Sequence, residues 1–159
     1  MRYKTAMDGF RVSDFFDDYS VCISGVIGSG TLILPNGTAF VALVSGEMSV
    51  NGTYILSGTA IYRLLPQSKI AYSECRAMIA VAKSFVPCMN YLHFPADFDE
   101  TPHKYTSHCA GVVMRGEGVC RHSGRYDVLE RGDIFVAAEN TLLSFHTEDS
   151  AMDIAVLHQ

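Results

Sequence analysis

The sequence has no tryptophan, no C-x-x-C pair and no apolar run of bilayer length. A membrane helix needs about 18 or more consecutive apolar residues, so no membrane partner is expected. The five cysteines, Cys22, Cys75, Cys88, Cys109 and Cys120, are odd in number and irregularly spaced. That argues against a zinc ribbon or a disulfide framework, and they read as reduced thiols packing as small hydrophobes. Charge is also scarce. Only 18% of residues are charged, and twelve basic against seventeen acidic side chains give a net charge of -5. Without a basic stripe there is no footprint for a phosphate backbone, so no nucleic-acid partner is expected. The opening stretch MRYKTAMDGFRVSDFFDDYS carries charges where a secretory signal would carry its apolar core, which points to a cytoplasmic protein. Without a signal, the Asn-Gly-Thr triplets at Asn36 and Asn51 read as turns and not as glycosylation sites.

What is present is apolar and rhythmic. The chain has 159 residues, 48% of them hydrophobic, and a chain of this size buries about 70% of its unfolded surface. It needs no staple to fold. From Val21 onward, short apolar runs are broken by Asn36-Gly37, Asn51-Gly52, Gly116-Glu117-Gly118, Ser123-Gly124 and Arg131-Gly132-Asp133. Turn signals at this spacing mark an antiparallel sandwich or barrel. The strand candidates Ala39–Val44, Gly111–Met114, Arg125–Leu129, Ile134–Ala137 and Ile154–Leu157 are rich in residues that suit a pleated surface. Helix signals are weak: one or two turns before Tyr19, and a stretch at Ala77–Phe85 that reads better as strand.

The chain also repeats itself. Phe40–Glu47 aligns with Ala110–Glu117, Ala60-Ile61-Tyr62 with Asp133-Ile134-Phe135, and Ala71-Tyr72 with Ser144-Phe145. Ala77–Val81 then aligns with Ala151–Val156, allowing one inserted residue. Order kept over such a stretch is the mark of a duplicated β unit. All six histidines, His93, His103, His108, His122, His146 and His158, fall in the second copy. Chemistry is therefore expected there.

Thr101-Pro102-His103-Lys104-Tyr105, then Gly111-Val112-Val113-Met114-Arg115-Gly116-Glu117-Gly118, then Gly132-Asp133-Ile134-Phe135-Val136 resemble the cupin superfamily. With the repeat, the resemblance implies a small bicupin with degenerate metal motifs. The implied fold is all-β, a duplicated cupin-like antiparallel β-barrel (a double-stranded β-helix, or jelly roll). It divides into an N-terminal extension, 1–20, a first degenerate barrel, 21–87, and a second barrel, 88–159, carrying the candidate pocket.

Metal-dependent cupins place two histidines two residues apart, a glutamate about four residues on, and a third histidine in a later motif. Residues two apart on a strand share a face, so such side chains converge inside the barrel. Here His103 matches the first histidine, while Tyr105, Cys109 and Leu143 stand at the other positions. Two arrangements stay open. In one, His103, Cys109 and His146, with Tyr105, hold Fe, Mn, Ni or Zn through imidazoles and a thiolate; His146 needs a bulge to join them. In the other, Cys109 and Leu143 are packing residues, and His103 and Tyr105 act as a metal-free acid and base. Among the remaining histidines, His93 is expected to face away from the pocket behind Leu92 and Phe94. His122 is expected to be solvated in its turn.

The resemblance implies a small-molecule ligand and supports three classes of function. These are an enzyme of isomerase, dioxygenase or lyase type, a ligand-sensing module, or a structural protein with vestigial pockets. Exposed edge strands of small barrels favour a homodimer.

Overall fold

The computed structural model describes residues 2–5, 10–11, 21–83, 87–104, 106, 109–122, 124–137 and 139–158. Fourteen strands and no helix occur among them. They fall into two compact units, Thr5–Pro87 and Met1–Lys4 with Cys88–Gln159. No helix among the described residues is long and apolar enough to cross a membrane.

In chain order the strands begin with β1 (Arg2–Thr5), which lies beside the strand Asp133–Ala137 of the second unit, and β2 (Phe10–Arg11), which opens the first. The first unit continues with β3 (Val21–Ile33), β4 (Thr38–Val50), β5 (Tyr54–Ser57), β6 (Ala60–Leu64) and β7 (Lys69–Ala82). Its ladder is antiparallel throughout: β7 lies between β3 and β4, and β4 also pairs with β5 and β6. The strand reading of Ala77 onward holds, because these residues form the buried end of β7. Asn51 and Gly52 both take positive φ, 52° and 67°, and Thr53 N donates to Val50 O. This is the tight turn that twisted hairpins favour.

The second unit contains β8 (Cys88–Phe94), β9 (His103–Lys104), β10 (Cys109–His122), β11 (Arg125–Glu130), β12 (Asp133–Ala137), β13 (Leu142–His146) and β14 (Met152–His158). β10 organises it. Its first half pairs with β12 and β14, and its second half pairs with β11 and β13. β8 continues the ladder on β14, and β9 does so on β13. Between them the chain stays on the ladder: Asp97 N donates to Glu148 O, Thr147 N to Phe98 O, and Glu100 N to Phe145 O.

A sharp bend lets one strand serve both halves. Gly116 has φ 70°, and the register shifts between Val113 and Arg115. A Cβ at this position would lie 1.8 Å from the carbonyl oxygen of Ala151. Gly46 does the same in β4, with φ 86° and an added Cβ 2.4 Å from Glu74 O. Around the bend of β10, Cys109, Val113, Cys120, Leu129, Phe135, Leu143, Phe145, Met152, Ile154 and Val156 close an apolar core. Phe145 is its hub, with ring centroids 5.3 Å from Phe94 and 5.5 Å from Phe135. Ala110, Val112 and Met114, on the other face of β10, are buried as well. That is why the stretch reads as an unbroken apolar run and not as an alternating one.

The two units share a register. Val41 faces Tyr62 and Ala42 faces Ile61, as Gly111 faces Phe135 and Val112 faces Ile134. On the return strand, however, the sequence alignment slips by two residues. Ile79, the partner of Val41, corresponds to Val156, the partner of Gly111. Likewise Ile70, facing Val50, corresponds to Phe145, facing Cys120. Longer turns in the second unit absorb the difference. Where the slip is even, as at Ile70 and from Ile79 onward, side chains keep the expected face, whereas Ala77 and Met78, before the inserted residue, slip by three.

Replacing Gly116 with Ala is expected to remove about 3 kcal/mol or more of stability, since it adds a clash to left-handed strain. Gly124→Ala, where an added Cβ meets nothing within 4 Å, should cost only about 1 to 2 kcal/mol. Urea unfolding of the two variants compares them.

Candidate functional site

The inner face of the second unit carries a row of three side chains on neighbouring strands. His103 on β9 faces Leu143 on β13, and Leu143 faces His122 on β10. Leu143 is fully buried, His122 nearly so, and His103 is half-buried at the rim. Each histidine has its own carboxylate. Glu100 Oε1 lies 3.6 Å from His103 Nδ1. The His122 ring bonds to Asp127, which sits opposite Cys120 on β11. The expectation of a solvated His122 is thus corrected. Two residues past the inward Cys120, it faces the core and meets its acid across the hairpin.

Glu100 is the residue that sequence reasoning missed. Its backbone N–H donates to Phe145 O, and its Oε2 accepts from Phe145 N at 3.0 Å. The carboxyl is thereby fastened to the end of β13 with its second oxygen turned towards His103. Burial pushes its pKa up, against the opposing pull of the Phe145 N–H and the His103 charge. The only sequence signal was an acid three residues before His103, hidden in the run Asp97-Phe98-Asp99-Glu100.

The other predicted residues scatter. Tyr105 and His108 lie outside the described residues. Cys109 is packed in the core, and burial pushes its thiol up to about 12; burial first, with nearby negative charges, does the same for Cys120. His146 pairs with Val119 on the outer face of β10, away from Leu143. There it lies near Asp99 and Glu148, with nitrogen–oxygen distances of 3.7 and 3.9 Å. His103, Cys109 and His146 therefore do not meet in one site. His93 faces outward, as expected; it and Tyr91 both contact Asp153, at 2.5 and 2.7 Å.

These residues do not fit a cupin metal centre. Leu143 brings no donor atom, and Cys109 is packed into the apolar core. Among the described residues no group of three His, Cys, Asp or Glu side chains could hold a metal ion. The corresponding places in the first unit are barer still. Ala39 stands for Cys109, Ser68 for Leu143, and Leu34, bonded through its N–H to Ser68 O, stands for His103. The Ser68 hydroxyl is committed to Leu65 O at 2.8 Å.

Two curled antiparallel sheets, each closed on an apolar core, define a β-barrel architecture of the jelly-roll kind. Comparison with solved structures names it: the fold is that of the cupin barrels. A cupin 2 conserved barrel domain protein from Leptotrichia buccalis superposes with a TM-score of 0.60 at 11% identity, covering 86% of this chain and 81% of that one. A salicylate 1,2-dioxygenase from Pseudaminobacter salicylatoxidans gives a TM-score of 0.67 at 11% identity, covering 86% and 69%. A protein of unknown function from Pseudomonas syringae gives 0.64 at 12% identity, covering 90% and 83%. No family model and no curated protein matches the sequence.

Two outcomes follow from these environments. Under native conditions at pH 8, iodoacetamide should modify the exposed Cys88 and leave the buried Cys109 and Cys120 untouched until the chain unfolds; peptide mass spectrometry distinguishes them. The raised Glu100 pKa means the folded state holds this proton to higher pH than the unfolded chain does. Its contribution therefore falls as pH rises from the ordinary carboxylate range through the folded value. Urea titrations across pH 4 to 7 should show wild type losing stability relative to Glu100→Gln.

Proposed function

We propose that the protein binds a small, oxygen-rich organic molecule at the mouth of its second unit, through Glu100 and His103 and without a metal ion. The observation that carries this reading is the Glu100 carboxyl. It accepts from Phe145 N while the Glu100 backbone N–H donates to Phe145 O, burial pushes its pKa up, and it is set beside an imidazole. A protonated carboxyl donates to a ligand oxygen, and an adjacent imidazole can take up or return a proton. Such a pair orients hydroxyl, carbonyl or carboxyl groups, and it is the minimal apparatus for isomerase or lyase chemistry. The buried His122–Asp127 pair supports the row from its far side. The first unit, with Leu34, Ala39 and Ser68 in the corresponding places, acts as a supporting barrel in a two-barrel protein.

The likeness to a salicylate dioxygenase is one of fold, and a hydroxybenzoate is therefore only one probe among several. Thermal-shift titration with salicylate, a hexose and a short hydroxy acid tests the reading. A saturable rise in Tm with at least one probe, lost in both Glu100→Gln and His103→Ala, is expected. Saturable binding that survives both substitutions would overturn it.

A further inference from the structure

The outer face of β8, β14 and β10 carries a carboxylate held from two sides. Asp153 on β14 faces His93 on β8 across one ladder and Arg115 on β10 across the other. Tyr91, two residues before His93, shares that face. The Tyr91 hydroxyl donates to Asp153 Oδ2 at 2.7 Å, and His93 Nδ1 lies 2.5 Å from Oδ1. The carboxylate side chain is only 14% exposed, whereas the imidazole is 61% exposed. Burial first, then the bond to Asp153, pushes the Tyr91 phenol up to about 12, so it stays a donor.

An ionised carboxylate only accepts hydrogen bonds, so the His93 proton sits on Nδ1 and the lone pair of the neutral ring on Nε2. No described residue bonds to Nε2. A carboxylate placed in this way fixes the tautomer of a reactive imidazole and stabilises the positive charge that the ring acquires on reacting. Arg115 adds a second element. It is exposed beside Asp153 and makes no hydrogen bond or ion pair among the described residues. Its charge nevertheless reaches Tyr91, where it opposes the rise of the phenol.

An uncommitted guanidinium fork matches the oxygens of a phosphoryl group, and an oriented imidazole beside it supplies the nucleophile. We propose that His93 is a phosphoryl acceptor, its Nε2 attacking the phosphorus of a small N-phosphoryl donor such as phosphoramidate while Arg115 binds the phosphoryl oxygens. The donor's P–N bond breaks as the Nε2–P bond forms. Ammonia leaves with the protons it already carries, and the Nδ1 proton stays in the bond to Asp153, which balances the imidazolium charge. This site lies on the outer face of the unit and is independent of the rim formed by Glu100 and His103.

Incubation of the full chain with phosphoramidate at pH 7.5 tests the assignment, with peptide mass spectrometry following each histidine and phosphorus NMR identifying the isomer. His93 is expected to be phosphorylated on Nε2 about tenfold faster than the same residue in the urea-unfolded chain. Asp153→Asn should remove about that advantage. Diethyl pyrocarbonate, an uncharged electrophile, separates the two roles. Asp153→Asn should slow the reaction of His93 with both reagents, Arg115→Gln that with phosphoramidate alone, and His103→Ala neither. Circular dichroism confirms that each variant is folded. His93 reacting no faster than in the unfolded chain, or Arg115→Gln slowing both reagents or neither, would each overturn the proposal.

Discussion

The second unit depends on one backbone constraint, the left-handed turn of Gly116 against the Ala151 carbonyl. Without it a fourteen-residue strand would run straight through a single sheet. With it, Cys109–Val113 and Glu117–His122 become members of two ladders that share a core. Only glycine meets both demands, positive φ and no side chain. The same solution at Gly46 gives the first unit its curl, so both units close by one device placed at matching points of their ladders.

The bend brings the inner faces together, and packing then decides what they can do. Phe135, Leu143 and Phe145 fill space that a ligand-holding barrel would leave open. Polar groups survive where the apolar core ends, at Glu100 with His103 and at His122 with Asp127. Each is a carboxylate–imidazole pair, the arrangement that lowers the penalty of partly burying either group. The unit thus has the fold of the cupin barrels, with hydrophobic packing at Cys109 and Leu143.

Much of this was readable from the sequence, and the reasons for what was missed are local. Glycine and turn dipeptides located the hairpins, and β-branched runs located β4, β10, β12 and β14, because those signals are short-range. The repeat was visible because glycine cannot be exchanged at the bend, which anchors Gly46 to Gly116. Past the bend, small apolar residues are interchangeable, and nothing prevented the alignment from slipping by two. Cys109 and Leu143 read correctly under the packing alternative, since they carry no partner of opposite charge in sequence. Glu100 was missed because its role comes from the Phe145 backbone, a contact between residues distant in the chain. His122 was misplaced because its turn looked polar, although its parity with Cys120 pointed inward.

The longer turns of the second unit set it apart from the first. In the first unit β7 crosses both ladders unbroken, with only a kink at Glu74, where φ is 46° and the register jumps. At the matching point the second unit has a loop between β13 and β14, and that loop carries the exposed Glu148 and Asp149. A bulge already interrupts pairing, so it accepts extra residues without disturbing the strands on either side. The irregularity that kinks the return strand of one unit therefore lies where the other unit carries extra residues. The two units thus differ at a defect in the ladder and agree in register along the ladder itself.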